Sequence, residues 1–337
     1  MENKNLKSSR RYYALILIVL VGIILTCFTL INTIEPDSNK KQLKDNYFIS
    51  KTISVGSFPV GISVNPTTNI IYVTNNQSGT VSVIDGETSS IIKTIKVGDG
   101  PTGISANPLT DMIYVANYYS DTVSVIDGKT HVVVEEIPVD NTPWGIDVNS
   151  ENNLIYTTNY FANTISVIDG IENNVITTIK TDKPWGIDVN SHTGHVFVAN
   201  RDSVNVSTLR GDTIEKITIS DTPFKIYPNS VSYNEKTNLL YVANSSLISV
   251  IDVSTNSILE PISVGMNLVG LTINSDTNMI YASDIQNDII YIIDGSTRMI
   301  KEEIEVGDHP IAVEINPETN TIYVVNEYSN SISVISN

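Results

Sequence analysis

From residue 48 to the end, short runs of alternating apolar and polar residues are separated by turns rich in Asn, Asp, Gly and Pro. Alternation with period two places one face of a strand in a core. In one stretch, residues 61–65, 70–74, 80–84 and 90–97 alternate in this way and predict four strands. Between them, Asn65-Pro66 opens a turn and residues 76–79 form a loop. Asp85-Gly86 reads as a tight hairpin turn in which glycine accepts positive φ. Connections this short make successive strands antiparallel neighbours.

The same pattern returns about every 42 residues, seven times. The second strands begin at Tyr72, Tyr114, Tyr156, Phe197, Tyr241, Tyr281 and Tyr323. A fixed period of this length, built from four short strands, predicts an all-β, seven-bladed β-propeller over residues 47–337. The last copy ends after its third strand, and residues 48–56 match the missing fourth strand. The N-terminal strand is therefore expected to close the last blade, leaving no unpaired inner edge.

Residues 1–46 follow a different rule. Lys4, Lys7, Arg10 and Arg11 precede an uncharged stretch from Tyr12 to Ile34. About 20 helical residues span the ~30 Å of a bilayer core. The expectation is a cytoplasmic basic tail at 1–11, a transmembrane signal anchor at 12–34, a polar stalk at 35–46 and an extracellular propeller on a single-pass cell-membrane protein. A cleaved signal peptide and a lipid on Cys27 are the rival readings, although Thr26 is bulky for a lipoprotein site.

Beyond residue 34 the chain carries 16 basic and 36 acidic residues, a net of −20. Such a surface repels nucleic acid and anionic lipid. The one cysteine, Cys27, lies in the uncharged stretch, so disulfides do not stabilise the outer part and packing between repeats must.

The phrase Tyr72-Val-Thr-Asn75, the Asn65-Pro66 turn and the Val83-Ile-Asp-Gly86 turn resemble the YVTN family of β-propeller repeat proteins. The resemblance covers residues 47–337. Arg210 departs from it at the turn Asp, Asp284 at the strand-end Asn and Leu268 at the Pro. It implies the propeller fold and a surface-layer-like, cell-surface setting, and it carries over no catalytic residue.

No nucleophile elbow, phosphate loop or haem motif is present. Positions repeated in every copy serve packing, so function is sought where the copies differ. The residue after the repeat Pro is tryptophan in two adjacent copies, Trp144 and Trp185, the only tryptophans of the chain. The loops between second and third strands are expected on the same face and bring Tyr118, Tyr119, Tyr160, Phe161 and Arg201 nearby. The next connection supplies Phe224 and Lys225, where the Pro184-to-Pro228 step lengthens to 44 residues. Aromatics around an arginine suit recognition of a cell-surface protein, peptide or glycan. The competing expectation is that the tryptophans only plug the channel mouth. Asp147, Asp188 and Glu314 occupy the middle of innermost strands and offer carboxylates for Ca²⁺, as a metal-dependent, lactonase-like hydrolase would require. His192 and His195 form a weak metal pair in a turn on the opposite face, and Asn76, Asn205 and Asn244 stand in short glycosylation patterns. The preferred reading is a binding or scaffold module without catalysis or cofactor.

Overall fold

A computed structural model describes residues 47–201, 205–210, 213–219 and 227–337. The predicted tail, anchor and stalk lie outside the described residues, as do Phe224 and Lys225. Among the described residues no helix is long and apolar enough to cross a membrane.

The first repeat forms strands Pro59–Asn65, Ile70–Asn75, Thr80–Asp85 and Ser90–Lys96, paired in chain order. Each repeat sets its innermost strand against that of the next, around to the first again, so the array closes into a propeller. The core lies between neighbouring sheets rather than within one. Tyr72, fully buried, packs with Ile104, Ile113 and Val115 of the following repeat. Both faces of each middle strand are covered, which is why Ile, Val and Tyr are dense there.

The chain ends join as the repeat offset requires. Phe48–Ser54 runs antiparallel to Ser331–Ser336, from Phe48 opposite Ser336 to Ser54 opposite Ser331. Ile53, 6% exposed, enters the cluster that joins the last repeat to the first.

Seven separate sheets are expected and the described residues form six. Five have four strands. The sixth has six, because Leu239–Asp252 carries two strands of one repeat and Ser257–Asn274 runs from the outer strand of that repeat into the innermost strand of the next. The first continuity follows from a connection two residues shorter than elsewhere, since Asn244 bonds Ser249 five residues on where Asn75 bonds Ser82 seven residues on. The second coincides with the departure at Leu268. Other repeats have Pro at this point, which has no N–H and interrupts a ladder. Leu268 keeps its N–H and stands opposite both Ser245 and Asp284.

The turn at Asp85-Gly86 also differs from expectation. Positive φ falls at Ser89, at 50°, and not at Gly86. Asp85 Oδ1 accepts from Thr88 N–H at 2.7 Å and from its hydroxyl at 2.8 Å, giving a longer loop. Glycine is needed for space, since a Cβ on Gly86 would lie 2.3 Å from Asn69 Oδ1.

Candidate functional site

Innermost strands of all seven repeats line a central cavity of about 630 Å³. Loops from two connections meet at one mouth of it. Tyr118 N–H donates to Gly100 O at 2.9 Å, and Asn76 N–H to Phe58 O at 2.8 Å, so the two loop sets share a face.

The close approach of adjacent innermost strands positions the tryptophans. Thr102 Oγ1 donates to Trp144 O at 2.9 Å, and Thr158 Oγ1 donates to Trp185 O at 2.8 Å. Gly103 and Gly145 stand against these carbonyls, where a Cβ would come within 2.5 and 2.4 Å. With the backbones so held, the indoles of Trp144 and Trp185 stack at 3.8 Å between centroids and 27° between planes. The Arg201 guanidinium lies 3.8 Å from the Trp185 ring. Two groups that close to one ring must occupy opposite faces, so Trp185 is sandwiched between Trp144 and Arg201. Tyr118 meets Trp144 edge-on at 5.8 Å, and Tyr160 meets Trp185 edge-on at 5.1 Å. Such pairs each contribute about 0.5–1.5 kcal/mol beyond burial.

Tyr119 and Phe161 extend the cluster outward, at 4.9 Å from Tyr118 and 5.0 Å from Tyr160. They are 71% and 58% exposed, while both tryptophans are half-buried. Lys183 Nζ lies 5.0 Å from the Tyr160 ring and 5.4 Å from that of Phe161. Lys183 was not singled out from the sequence, although it stands two residues before Trp185 where the other repeats carry no lysine or arginine.

Asp147 and Asp188 of the channel tie one innermost strand to the next. Asp147 Oδ2 accepts from Val189 N–H of the next repeat at 2.8 Å, and its Oδ1 accepts from Ser105 Oγ at 2.9 Å and its neighbour Val148 N–H at 2.9 Å. Asp188 Oδ2 accepts from Tyr233 N–H of the following repeat at 2.5 Å. Ser63 makes the same bridge in the first repeat, accepting from Ala106 N–H at 3.1 Å. These side chains clasp one innermost strand to the next. No three His, Cys, Asp or Glu converge as metal ligands among the described residues. His192 Nδ1 faces Glu151 at 3.4 Å, and His195 Nδ1 faces Thr193 Oγ1 at 3.0 Å, so the two rings serve separate local contacts.

The carboxylates touch the channel but are walled by protein, and burial disfavours their charged forms. Burial raises Asp147 and Asp188 above the usual carboxylate range, and the Asp147 charge raises Asp188 further. Burial pushes Glu314 up to about 7. An acid whose folded value exceeds its unfolded one costs stability as pH rises between the two, and the loss levels off above the folded value. For Glu314 this window runs from 4.5 to about 7. Glu314→Gln keeps an acceptor for Ile315 N–H and removes the charge. It is expected to stabilise the protein at pH ~8 by about 1–3 kcal/mol and to change little at pH ~4. Thermal unfolding at both pH values checks this. Equal effects at both would show that ionisation of Glu314 carries no penalty.

The architecture defines a β-propeller repeat protein. A family model described as a YNCE-like beta-propeller matches residues 45–194, and this match with the fold fits a YVTN-type β-propeller repeat protein. No curated protein matches the chain in sequence. Among solved structures, a chain of Kuenenia stuttgartiensis hydrazine synthase is similar at 17% identity and a TM-score of 0.75, over 83% of this chain and 96% of that one. At that identity the likeness shows the fold alone, and one fold hosts unrelated functions.

Proposed function

We propose that this chain is a membrane-anchored, outward-facing propeller that binds a protein, peptide or glycan at the cell surface and performs no catalysis. The anchor rests on the uncharged stretch from Tyr12 to Ile34 and the basic residues before it. The observation that carries the binding role is the aromatic sector at the cavity mouth. Exposed Tyr119 and Phe161 continue the half-buried Trp144–Trp185 stack, and Lys183 and Arg201 lie against the same rings on a strongly acidic protein. An exposed aromatic patch works against solubility unless a partner covers it. The sandwiched Trp185 serves as the rigid support, and the outer rings offer the contact area.

Glycan and peptide arrays probed with the detergent-solubilised full chain test this reading. At least one class should bind, and combining Tyr119→Ala with Phe161→Ala should weaken binding by about tenfold or more, as truncated interface aromatics do. Both side chains are exposed, so the melting temperature should move by no more than about 2 °C. A chain that binds neither array, or whose binding survives both substitutions, rejects the reading.

A further inference from the structure

Junctions between neighbouring repeats share a clasp that one of them lacks. Phe58, Thr142, Lys183 and His309 each stand just before an innermost strand with positive φ, at 57°, 60°, 43° and 57°. A side-chain oxygen of the preceding repeat holds the N–H of each. Phe58 N–H donates to Asn330 Oδ1 at 2.7 Å, and Thr142 N–H to Asp121 Oδ1 at 2.7 Å. Lys183 N–H donates to Asn163 Oδ1 at 3.0 Å, and His309 N–H to Asp288 Oδ1 at 2.8 Å.

Between the first and second repeats both partners are glycine. Gly79 stands at the place of Asp121, Asn163, Asp288 and Asn330, and Gly100 at the place of the four donors. The backbone keeps the same turn, with φ of 60° at Gly79 and 66° at Gly100. Asn and Asp tolerate this conformation, as the other junctions show, so the turn does not require glycine at Gly79. What the exchange removes is the acceptor, and Gly100 N–H lacks the oxygen that its counterparts have.

A groove of about 580 Å³ lies at this junction. Gly79 and Gly100 line it, with Phe58 from the connection after the last repeat and Tyr119 from the second. A Cβ on Gly100 would lie 2.3 Å from Tyr119 Cδ2, so glycine lets the ring settle on the backbone there. Phe58 meets Tyr328 at 5.5 Å, and Tyr119 meets Tyr118 at 4.9 Å. The groove therefore interrupts an arc of rings that runs from Tyr328 to Phe161 through the Trp144–Trp185 stack. Lys96 Nζ lies 3.7 Å from Asp99 Oδ1 in the lining, so the two charges offset each other. Gln77 Oε1 accepts from Ser57 Oγ at 2.8 Å, which leaves its NH₂ to donate.

We propose that this groove binds a glycan built of 2-acetamido sugars, whose acetamido oxygen takes the place of the missing side-chain oxygen on Gly100 N–H. The inference narrows the binding role proposed above to one class and rests on it. An amide oxygen is what Asn163 and Asn330 supply at their own junctions. A carboxylate would fill the same place, but Asp99 and the acidic surface repel it. The exposed rings of Phe58 and Tyr119 offer apolar surfaces to the C–H faces of a pyranose, and Gln77 and Asp99 offer its hydroxyls a donor and an acceptor.

The probes are chitotetraose and cellotetraose, which carry acetamido and hydroxyl groups respectively at C2. Each is titrated calorimetrically into the full chain in a detergent without a sugar headgroup. Chitotetraose should bind, and cellotetraose should bind at least about tenfold more weakly. Gly79→Asn supplies the clasp of the other junctions and should weaken chitotetraose by about tenfold or more. Its melting temperature should hold or rise, because the atom nearest the new Cβ, at 2.4 Å, is the flexible end of Lys96. In amide spectra the Gly100 N–H resonance should move in the same direction with chitotetraose and with Gly79→Asn. Chitotetraose binding that survives Gly79→Asn overturns the groove, and a large fall in melting temperature overturns the clasp. Equal binding of cellotetraose, or tighter binding of trigalacturonate, overturns the acetamido class. If the chain binds another array ligand but not chitotetraose, this inference falls while the broader binding role stands.

Discussion

Deletion of residues 47–56 should prevent the propeller from closing, and soluble yield should collapse. Phe48–Ser54 is the outer strand of a sheet whose other three strands come from the opposite end of the chain. Its register runs through six partners, and Ile53 fills a cluster with Ile62, Val64, Ile332 and Val334. Each ladder hydrogen bond contributes about 0.5–1.5 kcal/mol net, and loss of a buried Ile side chain about 2–5 kcal/mol. Together these are comparable to the ~5–15 kcal/mol that holds a domain folded. Deletion also exposes Ser331–Ser336 as a bare edge. Ile53→Asp should reproduce much of the loss, because it buries an unpaired charge at a site 6% exposed. Thermal unfolding and solubility report both changes. A shortened chain that melts like the full one would show that closure is not what stabilises the ring.

Gly145→Ala is expected to destabilise the protein by about 2–4 kcal/mol, at or above the upper end of ordinary overpacking. The added Cβ would stand 2.4 Å from Trp185 O, a backbone atom that cannot rotate away. The innermost strands of two repeats must then separate, and Thr158 Oγ1 loses its 2.8 Å bond to the same carbonyl. Because that carbonyl sets the place of the Trp185 side chain, the Trp144–Trp185 stack should loosen, and indole fluorescence should change with stability. The control lies in the last repeat, where Ala312 occupies the equivalent position. Ala312→Gly should cost no more than about 1 kcal/mol, the conformational penalty of glycine in a strand. A Gly145→Ala protein that melts with wild type would mean that the strands have slack the geometry does not indicate.

Much of the mouth was legible as departure from repetition. Trp144 and Trp185 stood out because the other repeats place no aromatic after the Pro, and knowing the strand direction brought Tyr118, Tyr160 and Arg201 to the same face. The stacking itself was not legible. It depends on how far Gly145 lets one backbone approach the next, which is a distance between strands and not a property of either.

What the sequence determined by itself is the local and the periodic. Alternation set the strands, Asn-Pro and Asp-Gly marked where turns fall though not the Asp-Gly turn type, and the offset between the chain ends set the pairing of Phe48–Ser54 with Ser331–Ser336. These follow from neighbours along the chain and from a period, and both are written linearly. The tertiary structure alone decided which repeats share a ladder, what the channel carboxylates do and which rings stack. Asp147 accepts from Val189, 42 residues away, and Leu268 stands between Ser245 and Asp284. Such contacts are fixed by the spacing of sheets packed side by side, and packing distance is not encoded in the alternation of any one strand.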